Sequence, residues 1–323
     1  MSLRPLNSYP DNLEDRFKAP EGWETGDFKN DQTSHKLHYG YVLSKNAKGT
    51  VVVLSGLSEF SEKYYETTND LLKRNLNVFT MDWHGQGRSD RAIPNTQKRH
   101  SEGFEKDIEN LDGFIKNIVL QNSEAPLILI AHSMGANIGM RYAIQNPDTF
   151  QAIAFSAPMF GIKALKHIPD WLASLKLWLL APYHKSYVFG GHDWDERKQS
   201  SAQNDIFSSD TVRKKIHNQW SLHDTELQIG SPTFGWIKAA LRSCKILKDY
   251  DFTSFKTPLL IALARQERLV DNDKTSAIFS RMPNASVIKL DNSKHEILME
   301  TDEIRNQFWD AFDKMLAENK ILS

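Results

Sequence analysis

The stretch Leu127-Ile128-Leu129-Ile130-Ala131-His132-Ser133-Met134-Gly135-Ala136 decides how the rest of the chain is read. An apolar run stops at a small residue, and His, Ser, Met and Gly follow. Beyond it Ala136, Ile138, Met140, Ala143 and Ile144 keep a helical spacing until Asn146-Pro147-Asp148 ends it. The pattern predicts a buried strand, a sharp turn and a helix, with Ser133 at the tip of the turn. That is the order of a nucleophile elbow, G-x-S-x-G, with Ala131 at the first glycine position. Small residues flank the serine because the tight turn brings backbone atoms together. Taken alone, the stretch also reads as a turn in which Ser133 merely caps a helix. The context has to decide.

Upstream, residues 1–25 read as an irregular leader, and residues 28–45 as a hairpin in which Leu37, Tyr39, Tyr41 and Leu43 alternate. Thr50-Val51-Val52-Val53-Leu54 is a β-branched run, as expected of a strand buried on both faces. It ends at Ser55-Gly56-Leu57-Ser58-Glu59, where backbone N–H groups can face a ligand. A helix with Tyr64, Tyr65, Leu71 and Leu72 follows, then a strand Asn77-Val78-Phe79-Thr80-Met81. In Asp82-Trp83-His84-Gly85-Gln86-Gly87-Arg88-Ser89, we read Asp82, Gly85 and Gly87 as shaping a tight turn rather than acting in catalysis. Phe104, Ile108, Leu111, Ile115 and Ile118 mark one face of an amphipathic helix.

Downstream, Gln151-Ala152-Ile153-Ala154-Phe155 is a further strand, ending in Ser156-Ala157-Pro158-Met159. Strand and helix therefore alternate, which predicts an α/β fold: a mostly parallel sheet with helices on both faces. The alternation breaks over residues 160–240, read as a mainly helical cap inserted between core segments 1–159 and 241–323. Within it Trp171, Leu172, Leu175, Trp178 and Leu179 keep a helical spacing. They read as lining an apolar acyl pocket, as touching a lipid surface, or as a helix packed on the body. The sheet resumes at Pro258-Leu259-Leu260-Ile261-Ala262-Leu263 and ends with Ser286-Val287-Ile288-Lys289-Leu290. A last helix opens at Thr301-Asp302 and buries Ile304, Phe308, Phe312 and Met315.

Composition narrows the classes. The chain has 323 residues, 40% of them hydrophobic, with 40 Lys plus Arg against 41 Asp plus Glu. A near-neutral balance gives no footprint of nucleic-acid binding. A single cysteine, Cys244, excludes an internal disulfide. Residues 1–21 lack the apolar core of a signal peptide, and no apolar run reaches the roughly 20 residues of a membrane span. A cytoplasmic protein, or one peripheral on the inner membrane, is the expectation.

Three reactive side chains now follow three different strands. Ser133 follows one, Glu267 or Asp271 a later one, and His295 the last. The carboxyl ends of parallel strands share one edge, so these groups are gathered in space. Ser, acid, His is the chain order of α/β-hydrolases. His295 would take the serine proton, and the acid would orient the imidazole. Backbone N–H groups of Leu57 and Met134 would bind the oxyanion. On position Glu267 is preferred as the acid, with Asp271 the fallback. No metal or cofactor is required by this chemistry.

Ala131-His132-Ser133-Met134-Gly135 does not stand alone. With Ala157-Pro158-Met159-Phe160-Gly161, Ser231-Pro232-Thr233-Phe234-Gly235-Trp236, Glu267-Arg268-Leu269-Val270-Asp271-Asn272 and His295-Glu296-Ile297-Leu298, it resembles the bacterial lysophospholipases of the L-two type, relatives of monoacylglycerol lipases. The resemblance runs from Val51 to the C-terminus. It implies an α/β-hydrolase fold with a cap inserted after the sixth strand, and a serine esterase acting on a single fatty-acyl ester of a glycerol lipid. It implies Ser133 as nucleophile, His295 as base, and Leu57 and Met134 at the oxyanion positions. Glu267 stands where monoacylglycerol lipases carry Asp. Two further departures are Ser55-Gly56 in place of His-Gly, and Ala136 in place of a second glycine. A lysophospholipid or monoacylglycerol is the expected small lipid substrate, with peripheral membrane contact through the cap. Acyl transfer to another lipid, general carboxylester hydrolysis and non-catalytic lipid binding are the alternatives.

Overall fold

A computed structural model describes residues 2–3, 8–198 and 204–322. Its centre is a sheet of nine strands in the order β1-β2-β3-β5-β4-β6-β7-β8-β9. These are β1 (Ser2–Leu3), β2 (Glu24–Lys29), β3 (Lys36–Val42), β4 (Gly49–Leu54), β5 (Leu76–Met81), β6 (Leu127–His132), β7 (Ala152–Ser156), β8 (Leu259–Ala264) and β9 (Ala285–Leu290). The pairings β1–β2, β2–β3 and β3–β5 are antiparallel. From β5 through β4, β6, β7 and β8 to β9 every pairing is parallel. The α/β expectation therefore holds.

The strands sort their side chains by alternation. Val52, Leu54, Leu129 and Ile153 pack in one cluster with the helices Glu105–Phe114, Met134–Gln145 and Phe234–Asp249. Val51, Val53, Ile128 and Ile130 pack in another with the helices Tyr65–Leu72 and Asp302–Glu318. Consecutive residues of a strand face opposite ways, so an unbroken apolar run needs a hydrophobic cover on both sides. Val51, Val52 and Leu54 are all fully buried, as this demands.

Phe104, Ile108, Leu111, Ile115 and Ile118 are all buried, as their periodicity predicts. Their helix widens into a π-turn at Ile115–Val119 before it ends. The last helix buries Ile304, Phe308, Phe312 and Met315 as expected. Its opening differs: Thr301 makes no capping bond, and the Asp302 carboxylate accepts from Arg213 instead.

The leader is not irregular throughout. Ser2 and Leu3 pair with Asp27 and Gly26. Leu13 and Phe17 are buried with Phe60, Tyr65 and Trp220. The leader thus seals the seam between the body and the helix Ile216–His223. Separate Leu and Phe residues with no periodicity carry no such signal in sequence.

Residues 160–233 contribute helices, including Asp170–Leu179 and Ile216–His223, and no strand of the sheet among the described residues. The segment follows β7, the sixth strand if the two-residue β1 is left out. The helix Phe234–Asp249 runs through residue 240 and packs on the helix Met134–Gln145.

Phe308 is fully buried between the sheet and the last helix, with the Phe312 ring 6.4 Å away. Phe308→Ala is expected to cost about 3–5 kcal/mol of stability, read as a lower urea midpoint. A loss below about 1 kcal/mol would contradict this packing.

Candidate active site

Ser133 has φ +49° and ψ −112°, a conformation that side-chain-bearing residues rarely adopt. The turn is held by Ser133 N–H donating to the Ser156 carbonyl (3.1 Å) and Met159 N–H donating to the Ser133 carbonyl (3.0 Å). Gly135 is needed for space. A Cβ there would lie 2.5 Å from the Ser55 carbonyl oxygen and 2.7 Å from that of Leu54.

Ser133 Oγ lies 3.0 Å from His295 Nε2, and His295 Nδ1 lies 2.7 Å from Glu267 Oε2. The second oxygen of Glu267 accepts from the N–H groups of Arg268 (2.8 Å), Leu269 (2.7 Å) and Val270 (3.2 Å). One carboxylate oxygen is therefore fixed by backbone and the other by the imidazole. Asp271 is elsewhere. Its carboxylate caps the helix Asn272–Phe279, accepting from Asp273 and Lys274 N–H at 3.0 and 3.2 Å. The structure puts Glu267, not Asp271, against His295.

Burial works to raise Glu267, but His295 and the backbone donors outweigh it and hold the carboxyl below its ordinary range. Burial works to lower His295, and Glu267 outweighs it, so the ring stands above its ordinary 6.5. A neutral His295 can accept the serine proton, and the charge that forms is matched by Glu267. The elbow's own histidine, His132, does not compete. Burial lowers His132 to about 4, and its Nδ1 lies 3.0 Å from the Ser156 carbonyl.

Met134 is the first residue of the helix Met134–Gln145, and such N–H groups have no partner within the helix. Leu57 lines the pocket that opens over Ser133. The loop 55–59 is fixed by residues the sequence reading passed over. Gln86 Nε2 donates to the carbonyls of Gly56 (2.8 Å) and Glu59 (2.6 Å), and Gln86 Oε1 accepts from Ser58 N–H (3.1 Å). Trp83 Nε1 donates to the Ser55 carbonyl at 2.9 Å. Asp82 accepts from Ser61 and from Arg88 N–H at 2.9 Å, and a Cβ on Gly87 would strike its carboxylate. Asp82, Gly85 and Gly87 thus shape the turn as read, but the turn serves to present Gln86.

Beneath the same loop lies a buried ion cluster. Glu59 accepts from Gly56 N–H (2.5 Å), Lys63 (2.6 Å) and Tyr64 Oη (2.6 Å), and Lys63 also pairs with Glu296 at 2.6 Å. Burial works to raise Glu59, and the Lys63 ammonium outweighs it and keeps it ionised. Glu59 thereby orients the loop N–H groups where Ser55 does not: Ser55 Oγ has no partner among the described residues. Glu59 is four residues before Lys63, the spacing of a helical ion pair. That was the available signal.

A pocket of about 330 Å³ opens over Ser133. Its walls are largely apolar, with Met159, Ile162, Phe207, Ile229, Ile237 and Leu269. Of the three readings of the Trp/Leu run, lining this pocket is not met by Leu172, Leu175, Trp178 or Leu179, none of which is on its wall. Leu175, Trp178 and Leu179 are exposed, and Trp178 borders a separate groove. The side chain of Trp171 lies outside the described residues.

The fold and this arrangement define a serine hydrolase of the lipase and esterase class. A family model described as "Serine aminopeptidase, S33" matches residues 45–302, and the chain belongs to this α/β-hydrolase family. It is 29% identical over 273 residues to a probable lysophospholipase L2 of Haemophilus influenzae, covering 84% of this chain and 85% of that protein. It is 28% identical over 267 residues to lysophospholipase L2 of Escherichia coli K12, covering 79% and 76%. Among solved structures, a soluble variant of monoglyceride lipase from Saccharomyces cerevisiae with a substrate analog has the same fold, at a TM-score of 0.72 and 17% identity, covering 97% and 99%.

The pKa directions fix a pH profile. A base works only unprotonated, so kcat/KM is expected to fall on the acid side through an apparent pKa above 6.5. Glu267→Gln removes the charge that raises it, and is expected to shift this limb to lower pH while lowering kcat. A limb at or below 6.5 in the wild type would contradict the pairing. Glu59→Gln is expected to lower kcat about tenfold or more by loosening the loop that carries the Leu57 N–H, with circular dichroism unchanged. Unaltered kcat would refute that positioning role.

Proposed function

We propose that this protein releases the fatty acid from a lysophospholipid through an acyl-enzyme on Ser133. The observation that carries this is the hydrogen-bonded series Ser133–His295–Glu267, whose Ser133 and His295 line a largely apolar pocket. His295 Nε2 takes the Ser133 proton as Oγ attacks the ester carbonyl. One Oγ–C bond forms, and the carbonyl oxygen becomes an oxyanion facing the N–H groups of Met134 and Leu57. Each such donor is worth about 3 kcal/mol in acyl transfer. The tetrahedral intermediate collapses, the glycerol oxygen leaves, and His295 gives it the proton. Water then attacks the acyl carbonyl and gives a proton to His295; the second tetrahedral intermediate collapses, the C–Oγ bond breaks, His295 returns the proton to Ser133 Oγ, and the fatty acid departs.

Several features support the lipid reading. The pocket walls suit an alkyl chain. The curated relatives of lysophospholipase type match most of this chain, whereas the monoacylglycerol lipase of Mycolicibacterium smegmatis matches 34% of it. That difference favours a lysophospholipid over a monoacylglycerol.

Residues 160–240 act in this proposal as the cap that meets the lipid surface. Leu175, Trp178, Leu179, Tyr183 and Phe189 are exposed there. Lys238, Arg242 and Lys245 stand around the groove that Trp178 borders. Apolar side chains beside cations suit an anionic interface. No helix among the described residues is long and apolar enough to cross a membrane.

Purified protein is expected to release fatty acid from lysophosphatidylethanolamine faster than from monoacylglycerol, and Ser133→Ala to lower that release by at least ~10³-fold. Full release by the mutant would overturn the mechanism. Acylated phosphatidylglycerol in place of free acid would make the protein an acyltransferase. Trp178→Glu is expected to weaken sedimentation with anionic vesicles while sparing hydrolysis of a monomeric short-chain ester. Unchanged sedimentation would remove the cap from the membrane contact.

A further inference from the structure

Three donor side chains that take no part in the reaction above meet where the loop before the helix Glu105–Phe114 faces the segment between β7 and β8. The donor atoms of His100, Glu102 and His184 all lie within 4.8 Å of one another. None of the three lines the reaction pocket.

Their hydrogen bonds point to a missing partner. His100 is 2% exposed, yet its Nε2 has no partner among the described residues. A buried polar atom left alone requires an explanation. Its Nδ1 lies 2.8 Å from Thr233 Oγ1. The Thr233 hydroxyl donates toward the Arg99 carbonyl (3.5 Å), so its oxygen accepts from Nδ1–H. That leaves a lone pair at Nε2. His184 is set in the same way. Its Nδ1 lies 3.0 Å from the Ala181 carbonyl, which can only accept, so the lone pair again falls on Nε2. Metal-binding histidines are oriented by such an Nδ1–H bond to oxygen.

We propose that His100, Glu102 and His184 form a site for a divalent transition-metal ion, best suited to Zn²⁺, that ties the segment between β7 and β8 to the body. Two imidazoles and a carboxylate match the donor preference of Zn²⁺, with water in the fourth position. Zn²⁺ holds such donors at about 2.0–2.2 Å. The buried His100 is fixed, while the exposed Glu102 and half-buried His184 have room to close on the ion.

The site is wired to the structure around it. The His184 carbonyl accepts from Gly235 N–H (2.8 Å), and the Arg99 carbonyl from Thr233 N–H (3.0 Å). Arg99 Nε donates to Gln86 Oε1 at 2.9 Å, and Gln86 holds the loop bearing Leu57. An ion here stiffens the approach to that loop without touching the reacting atoms. The inference does not rest on the choice of lipid.

The test is calorimetric titration of chelator-treated full-length protein with Zn²⁺. One equivalent is expected to bind, raising Tm by roughly 3 °C or more at saturating metal. His184→Ala and Glu102→Ala, both outside the core, should each weaken binding at least about tenfold. Co²⁺ should give the visible absorption of a four-coordinate site, and His184→Ala should abolish it. No saturable binding would overturn the proposal. So would binding that both substitutions leave unchanged, an adventitious ion only, or binding lost in His295→Ala instead.

Discussion

Everything in the site depends on a backbone constraint at Ser133. Its φ of +49° lifts the serine out of the plane of the sheet. A non-glycine residue held there costs about 1–3 kcal/mol, and surrounding structure must over-determine it. It does so from three sides. β6 is paired to β4 on one edge and β7 on the other. The Ser133 N–H and C=O groups bond to Ser156 and Met159. Gly135 lets the following helix sit against the Leu54 and Ser55 carbonyls. Relaxing any of these lets the turn open, and Oγ then leaves its 3.0 Å contact with His295.

The loops around this turn are charged beneath and apolar above. Below the 55–59 loop, Lys63 sits between Glu59 and Glu296, all three buried or nearly so. Such a group is weak support for stability, because desolvation offsets attraction. Its plainer role is orientation: Glu59 takes the Gly56 N–H and Gln86 takes the carbonyls of Gly56 and Glu59. Above, the pocket walls are mainly side chains such as Met159, Ile162 and Ile237. The reacting groups thus sit between fixed polar groups and a largely apolar pocket wall, where preorganised dipoles act strongly.

The sheet was legible because its signals are local. Unbroken apolar runs give strands buried on both faces, and the step pattern from Phe104 to Ile118 gives a helix with one buried side. Ser133 and Glu267 stood out because each follows such a strand, β6 and β8, and His295 because it follows the last, edge strand β9. Position after the strand favoured Glu267 over Asp271, but what separates them in space, that Asp271 caps a helix while Glu267 meets the imidazole, carries no sequence signal. Gln86 and the Glu59–Lys63–Glu296 cluster were hidden for a related reason. Their partners are loop backbone and residues up to 233 positions apart (Lys63 to Glu296), where no periodicity operates. The Trp/Leu run left three readings open because helical spacing reports a face, not what that face meets; Trp178 is 67% exposed.

The most direct test of the central claim is mass spectrometry after treatment with a long-chain alkylphosphonate ester, which reacts only with an activated serine. One adduct per chain, on the peptide carrying Ser133 and absent when His295 is replaced by Ala, is the predicted result. No adduct, or one on another residue, would contradict the account of Ser133 as a nucleophile armed by His295 and Glu267.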